Sequence, residues 1–251
     1  MNKVLVKRDK EGVVWVTLNR PERRNAIDYD VMEALQHIFD EVKNHPEDKA
    51  LVLTGTGETF CSGGDLQIFH ALGTKEEAYP MLKKMGDVLY KLMVLPKPTI
   101  ALLNGTAVGG GCEIASACDY RFATYKATVG FVQGKLAITT GWGGATMLLE
   151  KLQHDKALQM LCSARRFSAK EAQELGFLHE VFLDDPELSC QKWMEEMLVP
   201  NAGVLSAYKR IAIRKWKETN LKERMKKEIQ ECAVLWESDD HHEAVAAFLK
   251  R

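Results

Sequence analysis

The sequence predicts an α/β fold in which a core of alternating strands and helices is followed by a C-terminal helical extension. Three observations carry this. Short β-rich runs alternate with glycine-punctuated helical stretches up to about Gly144. Two of those runs are apolar without interruption, as in strands buried on both faces of a sheet. Beyond Gly144, long charged patterns of helical period take over.

Val13 to Leu18 is β-branched and aromatic and reads as a strand. Tyr29 to Lys43 puts Val31, Leu35, Ile38, Phe39 and Val42 at helical spacing, with Asp28 placed as N-cap. Ala50 to Thr54 is a strand ended by Gly55 and Gly57, and a helix is expected over Leu66 to Leu72. Thr99 to Leu103 is the next strand, followed at once by Asn104-Gly105. Strands alternating with helices imply β-α crossover units. In the second half, Ser168 and Glu171 form a capping-box pattern and Gly176 stops the helix they open. Leu221, Met225, Ile229, Cys232 and Trp236 make one apolar stripe, and Asp239 opens a last helix carrying Ala244, Val245 and Phe248. Pro186 and Pro200 mark breaks between these helices.

Composition excludes several classes. The 251 residues are 46% hydrophobic and 27% charged, as in a soluble globular chain. With 34 Lys+Arg against 35 Asp+Glu, the formal charge of −1 argues against a wholesale basic surface for nucleic acid. No apolar run reaches the roughly 18 residues needed to span a bilayer. The opening Met1 to Arg8 turns charged too soon for a secretory leader, so a cytoplasmic protein is expected. Six cysteines without CxxC spacing then read as reduced thiols rather than disulfides or a zinc site.

The informative segment runs from Thr99 to Cys118: a buried strand, Asn104-Gly105, then Gly109-Gly110-Gly111-Cys112-Glu113 leading into an apolar helix. Such a turn presents unpaired amides at a helix N-terminus, able to hold a phosphate or a reaction oxyanion, or merely permits close packing. No Lys follows, so it is not a GxxxxGK[ST] phosphate loop. GxGxxG is missing from every strand–helix turn, which disfavours a dinucleotide-dependent reductase. A second turn, Phe60-Cys61-Ser62-Gly63-Gly64-Asp65-Leu66, repeats the device, with Asp65 placed to cap. Two turns offering free amides can converge on one carbonyl oxygen.

These two turns, together with Leu18-Asn19-Arg20-Pro21-Glu22-Arg23-Arg24-Asn25-Ala26-Ile27, resemble the enoyl-CoA hydratase/isomerase (crotonase) superfamily in order and spacing. The resemblance extends from Val4 to the C-terminal Phe248-Leu249-Lys250-Arg251. It implies a crotonase-like spiral of ββα units over 1–195 and a C-terminal helical trimerisation region over 196–251, supporting a homotrimer or a dimer of trimers. It further implies an acyl-CoA substrate whose thioester enolate is stabilised by the N–H groups of Gly64 and Gly110. Coenzyme A would arrive as part of the substrate, with no other cofactor, metal, nucleic acid or membrane implied.

Glu113 matches one of the two glutamates that the family's hydratases use as acid and base. A carboxylate in an apolar helix is expensive to bury without a purpose, and desolvation would raise its pKa toward neutrality. The second glutamate's position falls on Gln133, once Gly141-Trp142-Gly143-Gly144 is aligned with the family's glycine-rich turn. An amide can orient water or substrate but cannot exchange protons as a carboxyl does. If Gln133 lay in a strand, Lys135 would share its face and could substitute. The stretch from Phe131 to Gly144 also resembles the branch that decarboxylates ethylmalonyl- or methylmalonyl-CoA, where an oxyanion hole and one proton donor suffice. Hydratase or isomerase, decarboxylase, and a non-catalytic acyl-CoA-binding member therefore stay open.

For coenzyme A, the resemblance places Arg24 and Ala26 near the adenine with Ser62, Asp65 and Leu66 on the facing turn. Arg23, Arg24, Lys250 and Arg251 are candidate phosphate cations, although most such charges are simply solvated. Phe248 and Arg251 match positions that reach a neighbouring subunit's ligand, and Trp142 either lines the acyl pocket or packs in the core. His241-His242, adjacent rather than on one helix face, is a poor metal pair. Cys61 beside the first turn has no identifiable His partner.

Overall fold

The computed structural model describes residues 2–250. The chain opens with an antiparallel pair, β1 (Val4–Arg8) and β2 (Val13–Leu18), and then helix α1 (Tyr29–Asn44), whose N-cap Asp28 accepts from the Val31 amide. A strand pair and helices follow as a unit: β3 (Ala50–Gly55) and β4 (Thr59–Cys61), then α2 (Leu66–Phe69) and α3 (Lys75–Met93). The pattern repeats with β5 (Thr99–Leu103), β6 (Thr106–Val108) and α4 (Gly110–Ala117). It repeats again with β7 (Tyr120–Thr124), β8 (Thr128–Gly130), a 3-10 turn over Gln133–Leu136 and α5 (Gly144–Leu149).

Each repeat sends its first strand to one sheet and its second to another. The larger sheet runs β1-β2-β3-β5-β7-β10 and the smaller β4-β6-β8-β9, where β9 is Phe167–Ser168 and β10 is Glu180–Phe182. From β2 to β10 the larger sheet is parallel, which explains why β3 and β5 carry uninterrupted apolar runs. This is the α/β architecture of repeated ββα units that the resemblance implied.

The remaining helices are α6 (His154–Cys162), α7 (Ala169–Glu174), α8 (Pro186–Met197), α9 (Ala202–Glu218), α10 (Leu221–Trp236) and α11 (Asp239–Leu249). The capping box at Ser168 and Glu171 forms as expected, and Pro186 takes the first position of α8. The α10 stripe packs on α3, placing Met225, Ile229 and Cys232 in the same core as Leu82, Met85 and Trp142. Thus the helical extension closes over its own core.

Two expectations are corrected. The helix after the first glycine turn ends at Phe69 rather than Leu72, because a turn at 70–71 and an irregular link lead to the capping box of α3 at Thr74 and Glu77. Gln133 and Lys135 lie in a 3-10 turn and not a strand, so the alternation that would have put Lys135 beside Gln133 does not operate; Lys135 is exposed. Among the described residues, no helix is long and apolar enough to cross a membrane.

Candidate active site

The run Leu18 to Ile27 holds the first glycine turn in place. Arg24 and Asn25 both adopt left-handed backbone (φ 51° and 54°), and Asn25 Nδ2 donates to the Thr56 and Thr59 carbonyls. Arg20 is the organiser. Its guanidinium reaches the Ala26 carbonyl at 2.7 Å, Asp65 at 2.9 Å and Asp28 at 3.3 Å, all of them buried. Ile27 then forms a parallel bridge to the turn, donating to the Gly63 carbonyl and accepting from the Asp65 amide. Gly64 lies between those two engaged positions, so its own N–H is directed away from Ile27 and finds no protein acceptor among the described residues.

The second turn meets the first. Gly109 has a backbone (φ 56°, ψ −121°) open only to glycine, and it swings the chain from β6 into α4. Cys112 and Glu113 donate back to the Gly109 carbonyl, and the Gly110 N–H at the helix start has no partner among the described residues. The turns abut so closely that a Cβ on Gly63 would lie 3.0 Å from the Gly110 nitrogen.

Gly64 and Gly110 line one cavity of about 110 Å³ together with Ser62, Leu66, Glu113, Gln133 and Trp142. Of the sequence-derived candidates, these seven are brought together. The Trp142 ring stands against Gly110 and near Gly64, so it serves both as core packing and as a cavity wall. Four candidates stand apart. Asp65 is consumed by Arg20 and by capping α2, and Ala26 is buried behind the turn. Arg24 is exposed at the surface, its carbonyl accepting from the Ser62 amide. Phe248 is exposed on α11 and does not line the cavity; Arg251 lies outside the described residues.

Glu113 is buried, with a donor at every turn. Oε1 accepts from Gln133 Nε2 at 2.9 Å and from the Gly141 amide at 3.3 Å; Oε2 accepts from the Trp142 and Gly144 amides, both at 2.9 Å. These donors favour the anion, but burial and the neighbouring Glu228 carboxylate outweigh them and push the group up to about 8. The Oε1 atom of Gln133 is buried with no hydrogen-bond partner among the described residues.

Burial pushes the Cys61 thiol up to about 12, so it is no nucleophile at neutral pH. Among the described residues no group of three or more His, Cys, Asp or Glu side chains is placed to hold a metal ion. His241 nevertheless lines the cavity, its Nδ1 hydrogen held by the Leu136 carbonyl. Glu228 was not singled out from the sequence, yet a signal existed: it sits three residues after Met225 and four before Cys232, an acid within the apolar stripe of α10.

A family model described as Enoyl-CoA hydratase/isomerase matches residues 8–251. The ethylmalonyl-CoA decarboxylase of Bos taurus is 31% identical over 245 residues, covering 96% of this chain and 80% of that one. The short-chain-enoyl-CoA hydratase of Clostridium acetobutylicum is likewise 31% identical, over 257 residues, covering 100% of this chain and 96% of the relative. In solved structures, an enoyl-CoA hydratase from Bacillus halodurans shares the fold with a TM-score of 0.89 at 21% identity, covering 98% of this chain and 100% of that one.

Proposed function

The chain belongs to the enoyl-CoA hydratase/isomerase family, and from that premise we propose that it decarboxylates a short alkylmalonyl-CoA through a thioester enolate. The thioester carbonyl oxygen sits between the N–H groups of Gly64 and Gly110. The bond from the α-carbon to the carboxylate breaks, carbon dioxide leaves, and the electron pair passes to that oxygen. Two preorganised amides in a largely apolar cavity stabilise the charge as it develops and require no protonation change of their own. Glu113, as the acid, then gives its proton to the α-carbon and the saturated acyl-CoA is released. Coenzyme A is part of the substrate.

One observation carries this choice among the family's reactions. Among its described lining residues the cavity has a single carboxyl group, Glu113, faced by the amide of Gln133 where a hydratase would use a second carboxyl. One proton donor meets the demand of decarboxylation, whereas adding water across a double bond requires a base for the water and an acid for the carbon. The cavity is consistent with it: no Lys or Arg is among its described lining residues, so a substrate carboxylate gains no cationic partner there and loses its charge on becoming carbon dioxide.

A single base also suffices for moving a double bond, and the hydratase relative is as similar as the decarboxylases, so isomerisation or hydration is the second reading. Self-association into a trimer is part of the proposal; an exposed apolar stripe of Val204, Tyr208 and Ile211 along α9 supports it.

The test is a mass-spectrometric panel of ethylmalonyl-, methylmalonyl- and crotonyl-CoA with wild type and Glu113→Gln. Loss of carbon dioxide from an alkylmalonyl-CoA, abolished by Glu113→Gln, is the expected result. Hydration of crotonyl-CoA with inert malonyl thioesters overturns decarboxylation. Tight binding of all three without turnover makes the protein a non-catalytic acyl-CoA binder.

A further inference from the structure

We infer that Glu228, on α10, is a positioning residue for Glu113: it holds the two ends of the Thr140–Thr146 segment, whose middle the catalytic carboxyl holds. The inference rests on the reading of Glu113 given above. Glu113 accepts from the amides of Gly141, Trp142 and Gly144. Glu228 takes the next groups of the same stretch, accepting from the Thr140 hydroxyl, the Ala145 amide at 3.0 Å and the Thr146 amide at 2.7 Å. Two carboxylates from different helices thus divide one short segment between them, and Gly144 and Ala145, consecutive in the chain, belong to different owners.

A cavity wall held at its middle only can shift. Glu113 alone fixes the amides of 141, 142 and 144, and the Trp142 ring packed against Gly110 would share any movement of the unanchored ends. With Glu228 holding Thr140 and residues 145–146, the loop is anchored before and after the catalytic contacts. Small displacements of a reacting group suffice to slow a reaction substantially. Placing the anchor on α10 also ties the active centre to the helical extension, whose Met225, Ile229 and Cys232 pack on α3 and Trp142.

Charge gives the arrangement a second consequence. The titratable groups around the pair are Cys112 on α4, Cys232 on α10 and His241 on α11 across the cavity. Neutral Gln133 faces Glu113 from the 3-10 turn, and α3 presents Leu82 and Gly86. No cation makes an ion pair with either carboxylate among the described residues. Burial raises Glu228 as well; in its ionised form it acts on Glu113 with no ion-pair partner among the described residues and favours the protonated form of Glu113.

The test compares Glu228→Gln, Glu228→Asp and Thr140→Val with wild type, reading kcat and KM for ethylmalonyl-CoA over pH 5.5–9, with Glu113→Gln as the control. Glu228→Gln is expected to lower kcat about tenfold with KM changed less than about threefold, and to move the limb assigned to Glu113 to lower pH by up to about one unit. Glu228→Asp keeps the charge and should hold the limb near its wild-type position. Thr140→Val removes one anchor with little change in volume and should lower kcat with the limb in place, which keeps the idea testable if Glu228→Gln does not fold. Wild-type kcat and pH profile in folded Glu228→Gln and Thr140→Val, with Glu113→Gln inactive, overturn this inference alone. Full activity in Glu113→Gln overturns the reading beneath it.

Discussion

Gln133 Nε2 donates to Glu113 Oε1 at 2.9 Å while the other end of the same amide, Gln133 Oε1, is buried without a partner among the described residues. The pair suits both states that a proton donor must visit. As seen, the amide donates to a carboxylate. Turned over, its carbonyl accepts from the carboxylic acid, the one neighbour of Glu113 able to do so, since its other three partners are backbone N–H groups. A carboxyl at position 133 would add a second titrating group; an apolar residue would leave the acid's hydrogen unpaired.

Activity should report Glu113 directly. With the group held at about 8 and the acid as the working form, kcat for decarboxylation is flat below pH 7 and falls as pH rises through 8. Glu113→Gln should lower kcat by on the order of 10²–10⁴ and abolish this limb. Pre-steady-state or steady-state rates over pH 5.5–9.5 measure both. An activity that rises through pH 8 marks Glu113 as a base and favours isomerisation.

The same carboxyl links pH to stability. Its folded value near 8 lies above its ordinary 4.5, so the native state keeps a proton that the unfolded chain releases. That contribution is full below about pH 4.5 and is lost as pH rises toward 8, by at most about 1.4 kcal/mol per unit. Glu113→Gln lacks the slope. Thermal melts at pH 5.5 and 7.5 should therefore show the variant gaining on wild type at the higher pH, and parallel behaviour would show that Glu113 is already ionised at pH 5.5.

Much of this site was legible because glycine leaves a visible trace. Gly63-Gly64 and Gly109-Gly110 follow strands and precede helices, and that order alone pointed to free amides. Strands β3 and β5 announced themselves by unbroken apolar runs. Strands β9 and β10 did not, being two and three residues long and defined by tertiary pairing. Glu228 was hidden for a similar reason. Its donors are 82 to 88 residues away in the chain, and an acid on a Lys- and Glu-rich helix looks like one more solvated charge until the stripe spacing is counted.

Gly110 should tolerate no side chain while Trp142 is present. A Cβ there runs into the six-membered ring of the indole. Gly110→Ala is expected to displace the amide or the ring and reduce kcat by about 10²-fold, in the range for losing one oxyanion donor. Gly110→Ala combined with Trp142→Leu should recover part of that loss, a non-additivity that a double-mutant cycle measures. Equal losses in the single and double variants would mean that the backbone, and not the indole, sets the limit.

Gln133→Glu places a second carboxyl against Glu113. Two like charges in one apolar cavity cannot both ionise readily, so the pair should titrate with one proton held well above neutrality. Decarboxylation is expected to fall several-fold because the cavity gains negative charge, while crotonyl-CoA hydration appears or rises. Product analysis on both substrates decides this. Unchanged decarboxylation with no hydration would show that residue 133 stands outside the chemistry.

Arg20 sets the stability of the first glycine turn. Its guanidinium serves the Ala26 carbonyl, Asp28 and Asp65 at once, in surroundings where Asp28 and Asp65 are nearly inaccessible. Arg20→Met keeps most of the volume and removes the charge. Asp28 retains Lys3 and the Val31 amide, but among the described residues the Asp65 carboxylate is left with only the Gln67 amide, and the Ala26 carbonyl loses its side-chain donor. Breaking one partner of a buried pair typically costs about 3–5 kcal/mol, and the remaining contacts place this case at about 3. Urea denaturation should show the loss as a lower midpoint with unchanged slope. Because Asp65 and Ile27 together fix the direction of the Gly64 amide, kcat at 25 °C should fall even where the variant remains folded. A destabilised variant with full activity would show that the turn keeps its shape without the ion pair.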